Sequence, residues 1–193
     1  LTHGARALRF DQDRFDAFDL HILERPGAVA DYSPAAQARA KAVFDAMSQA
    51  DIDYMVMAIA SALPGSTTDP LSIPQFRDRL EQYRGITSQV LRQHLIEFLA
   101  RVTPVAEQLG VTLTLHPDDP PRPLFGLPRI ASSAEDYQAL FDAVPSKANG
   151  MCYCTGSLGV RAANDLPAMA KQFAPRIGFA HLRATKREAN GLS

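Results

Sequence analysis

From residue 87 to residue 181 the chain switches repeatedly between a helical and a strand period, and this alternation limits its fold more than any other feature. Thr87 or Ser88 caps a long helical pattern with Val90, Leu91, His94, Leu95, Phe98, Leu99, Val102 and Leu109 on one face. Pro104 should kink it and Gly110 should stop it. The β-rich stretch Val111-Thr112-Leu113-Thr114-Leu115 then runs into His116-Pro117-Asp118-Asp119-Pro120-Pro121, a rigid polar loop. Ser132-Ser133-Ala134-Glu135 is a capping-box signal for a helix through Tyr137, Leu140, Phe141 and Val144. Asn149-Gly150 reads as a turn and Met151-Cys152-Tyr153-Cys154 as a second strand. Asn164-Asp165-Leu166-Pro167 starts a further helix, and Ile177-Gly178-Phe179-Ala180 is a third strand ending in His181. Helices alternating with strands predict βαβ units, a parallel sheet and an α/β fold.

Residues 1–86 carry no such alternation. They read as a helical excursion broken by Pro and Gly, ahead of β/α units over residues 87–193, the whole forming a single domain. Phe15, Phe18, Ile22 and Leu23 give a helical spacing that ends at Arg25-Pro26-Gly27. Ser33-Pro34 opens a second helix, with Ser as N-cap and Pro at its first position. A third spans about residues 51–63 and stops at Pro64-Gly65. A fourth covers about residues 74–83.

Three metal-ligating side chains hold equivalent places: His116, Cys154 and His181 each end a strand. Parallel strands end on one side of their sheet, so residues remote in sequence converge there, on the edge where barrels and doubly wound sheets build their sites. Two imidazoles and a thiolate suit Zn²⁺ or Fe²⁺ better than Mg²⁺ or Ca²⁺. Singly, each residue has a plainer reading: a strand-end His as a hydrogen-bonding loop residue, Cys154 as a small buried hydrophobe.

Arg122, Arg161 and Arg183 follow strand ends closely and could fork onto a carboxylate, against a competing reading as surface ion pairs. Asp118 and Asp119 could orient a ligand or substrate hydroxyl, or cap the loop. His94 reads as a core or interface residue, His3 and His21 as structural or exposed, and Cys152 as packing. Gly156-Ser157-Leu158-Gly159 lacks the spacing of a phosphate loop.

Composition narrows the partners. A net charge of −1, from 20 basic and 21 acidic residues, gives no footprint for nucleic acid or an anionic membrane. No apolar run approaches the ~18 residues of a membrane span, and Leu1-Thr2-His3-Gly4-Ala5-Arg6 lacks the apolar core of a signal peptide. Cys152 and Cys154 are too close in sequence for an unstrained disulfide, so they read as reduced thiols of a cytoplasmic protein.

The stretch from His116 to Pro123, with Gly126-Leu127-Pro128-Arg129-Ile130, resembles the signature of mannonate dehydratases. So do Cys154-Thr155-Gly156-Ser157 with Gly159-Val160-Arg161 and Asn164-Asp165-Leu166, and His181-Leu182-Arg183 with Arg187-Glu188. Ala7-Leu8-Arg9-Phe10-Asp11 and the stretch from His21 to Ala28 fit as well. The resemblance covers essentially the whole chain. It implies a partial (β/α)8 TIM barrel of the xylose-isomerase-like kind, with a helical insertion in the N-terminal part. It implies conversion of D-mannonate to 2-keto-3-deoxy-D-gluconate in hexuronate breakdown, with Fe²⁺ or Mn²⁺ as cofactor and a sugar acid as the small-molecule partner. It also implies His116, Cys154 and His181 as metal ligands. Arg161, Arg183 and Asp118 are expected to bind substrate, and a homo-oligomer is expected. The family's further Asp ligand, its proton-handling His and a later Tyr are expected outside these 193 residues, so no catalytic base is named, and Ala184 stands where the family usually has Ser. The rival readings are a sugar isomerase of the same superfamily and a truncated, non-catalytic assembly module.

Overall fold

The computed structural model describes residue 4 and residues 9–60 and 71–187. The helix stop at Pro64-Gly65, and the matches at Ala7, Leu8 and Glu188, lie outside the described residues. The chain divides into two compact units, Leu1–Gly85 and Ile86–Ser193.

The first unit is helical because its caps and spacing are helical. α1 (Gln12–Ala17) starts at Asp11, whose carboxylate accepts the Arg14 N–H, and continues into a π-turn over Phe18–Ile22. Ser33 caps α2 (Pro34–Asp45), with Pro34 at the first position, where its missing N–H costs nothing. α3 (Gln49–Ala60) and α4 (Ile73–Glu81) follow; Ser72 and Gln75 form a capping box that starts α4 one residue before Pro74. Phe15, Ala17, Phe18, Leu23, Ala28, Ala40 and Met55 are buried.

Asp19 is buried too, and it is fully partnered. Arg25 grips it with Nε and Nη2 at 2.9 and 2.8 Å, and the Tyr32 hydroxyl donates at 2.7 Å. Burial pushes the Tyr32 hydroxyl far up, and its bond to Asp19 adds to this.

The second unit begins with α5 (Ser88–Gln108), capped by Thr87. It runs as one helix past Pro104. At its end Gly110 takes φ +65°, while the Gly110 and Val111 N–H groups donate to Glu107 and Ala106. That Schellman pattern explains the Gly stop. The expected apolar stripe is only half covered. Leu99 is buried and Leu91, Leu95 and Val102 are half-buried, but Val90, His94, Phe98 and Leu109 are exposed.

β1 (Leu113–Leu115), β2 (Asn149–Cys154) and β3 (Ile177–His181) form a parallel sheet in the order β1-β2-β3. The fold is α/β, as the alternation predicts. Asn149-Gly150 is not a turn: it opens β2. The Asn149 amide donates to the Leu140 and Val144 carbonyls and so closes the end of α6 (Ala134–Ala143). Gly150 leaves room for Thr112, whose methyl would stand 2.6 Å from a Cβ there. The capping box of α6 is also one residue later than its sequence signal, pairing Ser133 with Asp136.

After β2 come α7 (Thr155–Val160) and α8 (Leu166–Gln172), the latter capped by Asp165. Tyr137, Phe141, Leu158, Met169 and Phe173 from α6 to α8 and the turn after them pack on Met151 and Tyr153. Those two are alternate β2 residues, so they share a sheet face. β2 is wholly buried, while β3 is mostly exposed. Among the described residues, no helix is long and apolar enough to cross a membrane.

Candidate metal centre

The carboxyl ends of the three strands bring His116, Cys154 and His181 together. Their ligand atoms all lie within 4.8 Å of one another. Bond lengths of ~2.0–2.3 Å to one ion place such atoms about 3.5 Å apart. Cys154 Sγ and His181 Nδ1 already stand 3.6 Å apart.

A bulge sets this pairing. Met151 pairs with Ile177, but Cys152 pairs with Phe179, so β3 carries one extra residue. Without it Cys154 would face Ala180; with it Cys154 faces His181. Gly178 falls at the extra position, and a Cβ there would come within 2.7 Å of the Thr114 methyl.

Each ligand is oriented by its surroundings. His116 Nδ1 stands 2.7 Å from the Pro117 carbonyl oxygen, which can only accept. The proton is therefore on Nδ1 and the lone pair on Nε2, the form a metal-bound imidazole takes. Cys154 is fully buried and serves as the N-cap of α7. Its sulfur accepts the Ser157 N–H at 3.5 Å and the Arg183 Nε–H at 3.3 Å, and lies 3.3 Å from the Ser157 hydroxyl. Burial pushes this thiol up, but the bonds from Ser157 and Arg183, with a smaller lowering from the neighbouring His116 side chain, outweigh burial and bring it to about 6. Cys152, one pleat back, is pushed the other way, by burial and by the nearby Cys154. The thiolate beside two imidazoles fits a divalent transition metal, and the exposed His116 and His181 leave the cluster open to solvent on one side.

The other expected site residues part company. Arg183 reaches the cluster: besides Cys154, its Nη2 donates to Ser157 Oγ at 2.6 Å and to Asp119 Oδ2. These bonds, to Cys154 first and Asp119 second, raise its pKa further. Asp118 is spent on its own loop. Its Oδ2 accepts the Ile130 and Ala131 N–H groups and the Ser132 hydroxyl at 2.7–2.9 Å, which fixes the turn after His116. Arg161 lines a separate cleft of about 240 Å³ with Ser133, Glu135, Asn164 and Asp165. His94 is exposed on α5, not packed in a core. His21 stacks on Phe44.

Sequence reasoning missed Ser157 and Thr155 as partners of the cluster, and offered Asp119 only as one of two aspartates that could orient a ligand or cap the loop. The signal for Ser157 was available. It stands three residues after Cys154, the spacing at which an N3 residue meets a cap side chain. Asp119 carried no such local signal, because its partner Arg183 is 64 residues away.

A parallel sheet with helices packed on it and a His–Cys–His cluster at its strand ends defines an α/β protein whose site lies where such folds build them. The chain belongs to the D-mannonate dehydratase (UxuA) family, whose model matches residues 1–193. The resemblance read from the sequence is therefore borne out. A mannonate dehydratase of Brucella canis is 64% identical over 188 residues, covering 97% of this chain and 47% of that protein. One from Rhizobium meliloti is 52% identical over 186 residues, covering 96% and 46%. The chain thus spans about half the length of the curated relatives it matches. Among solved structures, the crystal structure of mannonate dehydratase from Streptococcus suis serotype 2 matches with a TM-score of 0.57 and 32% identity. That match covers 67% of this chain and 37% of the other.

Proposed function

We propose that this chain carries the metal-binding part of a hydro-lyase that dehydrates D-mannonate to 2-keto-3-deoxy-D-gluconate. His116, Cys154 and His181 hold Fe²⁺ or Mn²⁺ at the carboxyl ends of strands belonging to a (β/α)8 barrel. A cytoplasmic setting suits the reading, since it keeps both thiols reduced. The observation that carries it is the convergence of two imidazoles and one thiolate within 4.8 Å, in a chain 64% identical to a protein named mannonate dehydratase.

The reaction removes a proton from C2 and hydroxide from C3 of the sugar acid, which leave together as water. The enol left behind tautomerises to the 2-keto acid. A divalent ion held by His116, Cys154 and His181 would supply Lewis acidity toward a substrate carboxylate or hydroxyl. The chain's own residues set the geometry: the Pro117 carbonyl fixes the His116 tautomer, and Ser157 and Arg183 hold the cysteine sulfur.

The test is metal analysis of the purified full chain together with an assay on D-mannonate. Cys154→Ser should lose the bound metal and all Mn²⁺-dependent turnover. Full activity in that variant removes Cys154 from the ligand set. A product with the same formula as the substrate replaces dehydration with isomerisation.

A further inference from the structure

Arg183 was expected to grip the substrate carboxylate through a bidentate fork. Its contacts leave no fork to offer. A guanidinium has five N–H donors, one on Nε and two on each Nη. The Nε–H donates to Cys154 Sγ at 3.3 Å, and the two Nη2 protons serve Ser157 Oγ and Asp119 Oδ2. The end-on edge of the fork needs Nη2, and the side edge needs Nε. Both edges are committed within the protein.

The rest of the neighbourhood is built around this placement. The Thr155 hydroxyl donates to the Arg183 carbonyl at 2.6 Å and accepts the Arg183 N–H at 2.9 Å, pinning the main chain beside α7. The side chain then lies flat across Gly156. A Cβ at that position would stand 2.5 Å from both Cγ and Nε of Arg183. Only glycine lets the arginine cross to the sulfur.

We infer that Arg183 is a positioning residue of the metal centre: it ties the Cys154 sulfur to the Asp119 carboxylate and so fixes the direction from which the sulfur meets an ion. The inference rests on the metal-centre reading above. Asp119 anchors the far end of the link, and Gly156 provides the passage.

Cobalt binding to the full chain tests it, because a cysteine ligand gives Co²⁺ a sulfur-to-metal charge-transfer band. Arg183→Met should weaken Co²⁺ binding by about 10–100-fold, the usual range for losing a group that orients a ligand, and should shift that band. Arg183→Lys should not restore either in full, since a lysine ammonium is a single point and lacks the fixed spacing between Nε and Nη2 that reaches sulfur and carboxylate. Gly156→Ala keeps the arginine but displaces it, and should act in the same direction even if the Arg183 variants fold poorly. Asp119→Asn should reproduce part of the loss, and combining it with Arg183→Met should add little. An unchanged band and unchanged affinity in Arg183→Met and Gly156→Ala overturn the inference. So does a rise in KM for D-mannonate at constant kcat as the only effect, which would return Arg183 to the substrate. A wild-type chain with no thiolate band overturns the metal-centre reading itself, and the inference with it.

Discussion

Two aspartate–arginine pairs, one in each unit, show how the same chemistry serves two ends. In the helical unit, the Asp19 side chain is fully buried and that of Arg25 is 12% exposed. Their partners Asp31 and Tyr32 lie within 13 residues of Asp19 along the chain. In the β/α unit, Asp119 and Arg183 are each 42% exposed and 64 residues apart in sequence. The first pair is a local network in which the buried Asp19 carboxylate is paired with its cation and a hydroxyl. The second opens onto solvent and continues into the Cys154 sulfur. Burial with complete pairing marks a group that holds structure; partial exposure beside reactive donors marks one that serves a site.

The contrast can be broken in three places. Arg25→Met should cost about 3–5 kcal/mol, because it leaves the buried Asp19 carboxylate without its cation. Hydrogen exchange over residues 12–45 reads this loss locally, and a cost below about 1 kcal/mol would erase the distinction between the pairs.

A pH titration sharpens the other side. The Cys154 thiol is lowered to about 6, against an ordinary value of ~8.5. Its folded pKa lies below its unfolded one. The stability it contributes is therefore fully present above the unfolded value and is lost as pH falls through about 6. Thiolate absorbance should accordingly rise in two steps, one near pH 6 from Cys154 and one above the ordinary thiol range from Cys152, which burial raises. Cys154→Ser should remove only the lower step; a single step at the ordinary value would detach the sulfur from its donors.

The smallest effect belongs to Asp119→Asn. The pair it breaks is half exposed, so unfolding stability should change by no more than ~1 kcal/mol, measured by denaturant titration, even as cobalt affinity falls. A large loss of stability would make this pair a structural one like Asp19–Arg25.

Much of the scaffold was legible because helix starts and stops are local. Asp11, Ser33, Thr87 and Asp165 cap the helices they precede, and Gly110 ends α5 as its position implies. Where sequence reading slipped, a contact beyond the local window decided. Asn149-Gly150 has turn composition, but Asn149 is used to close α6 and Gly150 to admit Thr112. The α5 pattern puts Phe98, Leu99 and Leu109 on one face, yet Leu99 is covered while Phe98 and Leu109 are not.

The sequence by itself determined the order of helices and strands and the three side chains delivered at strand ends, since caps and periodicity act over about four residues. Only the tertiary structure decided which atoms meet. The extra residue at Gly178 turns His181 toward Cys154, and the bare face of Gly156 lets Arg183 reach both the sulfur and Asp119. Register and side-chain crossing depend on how strands and loops pack across dozens of residues, and no local pattern encodes that.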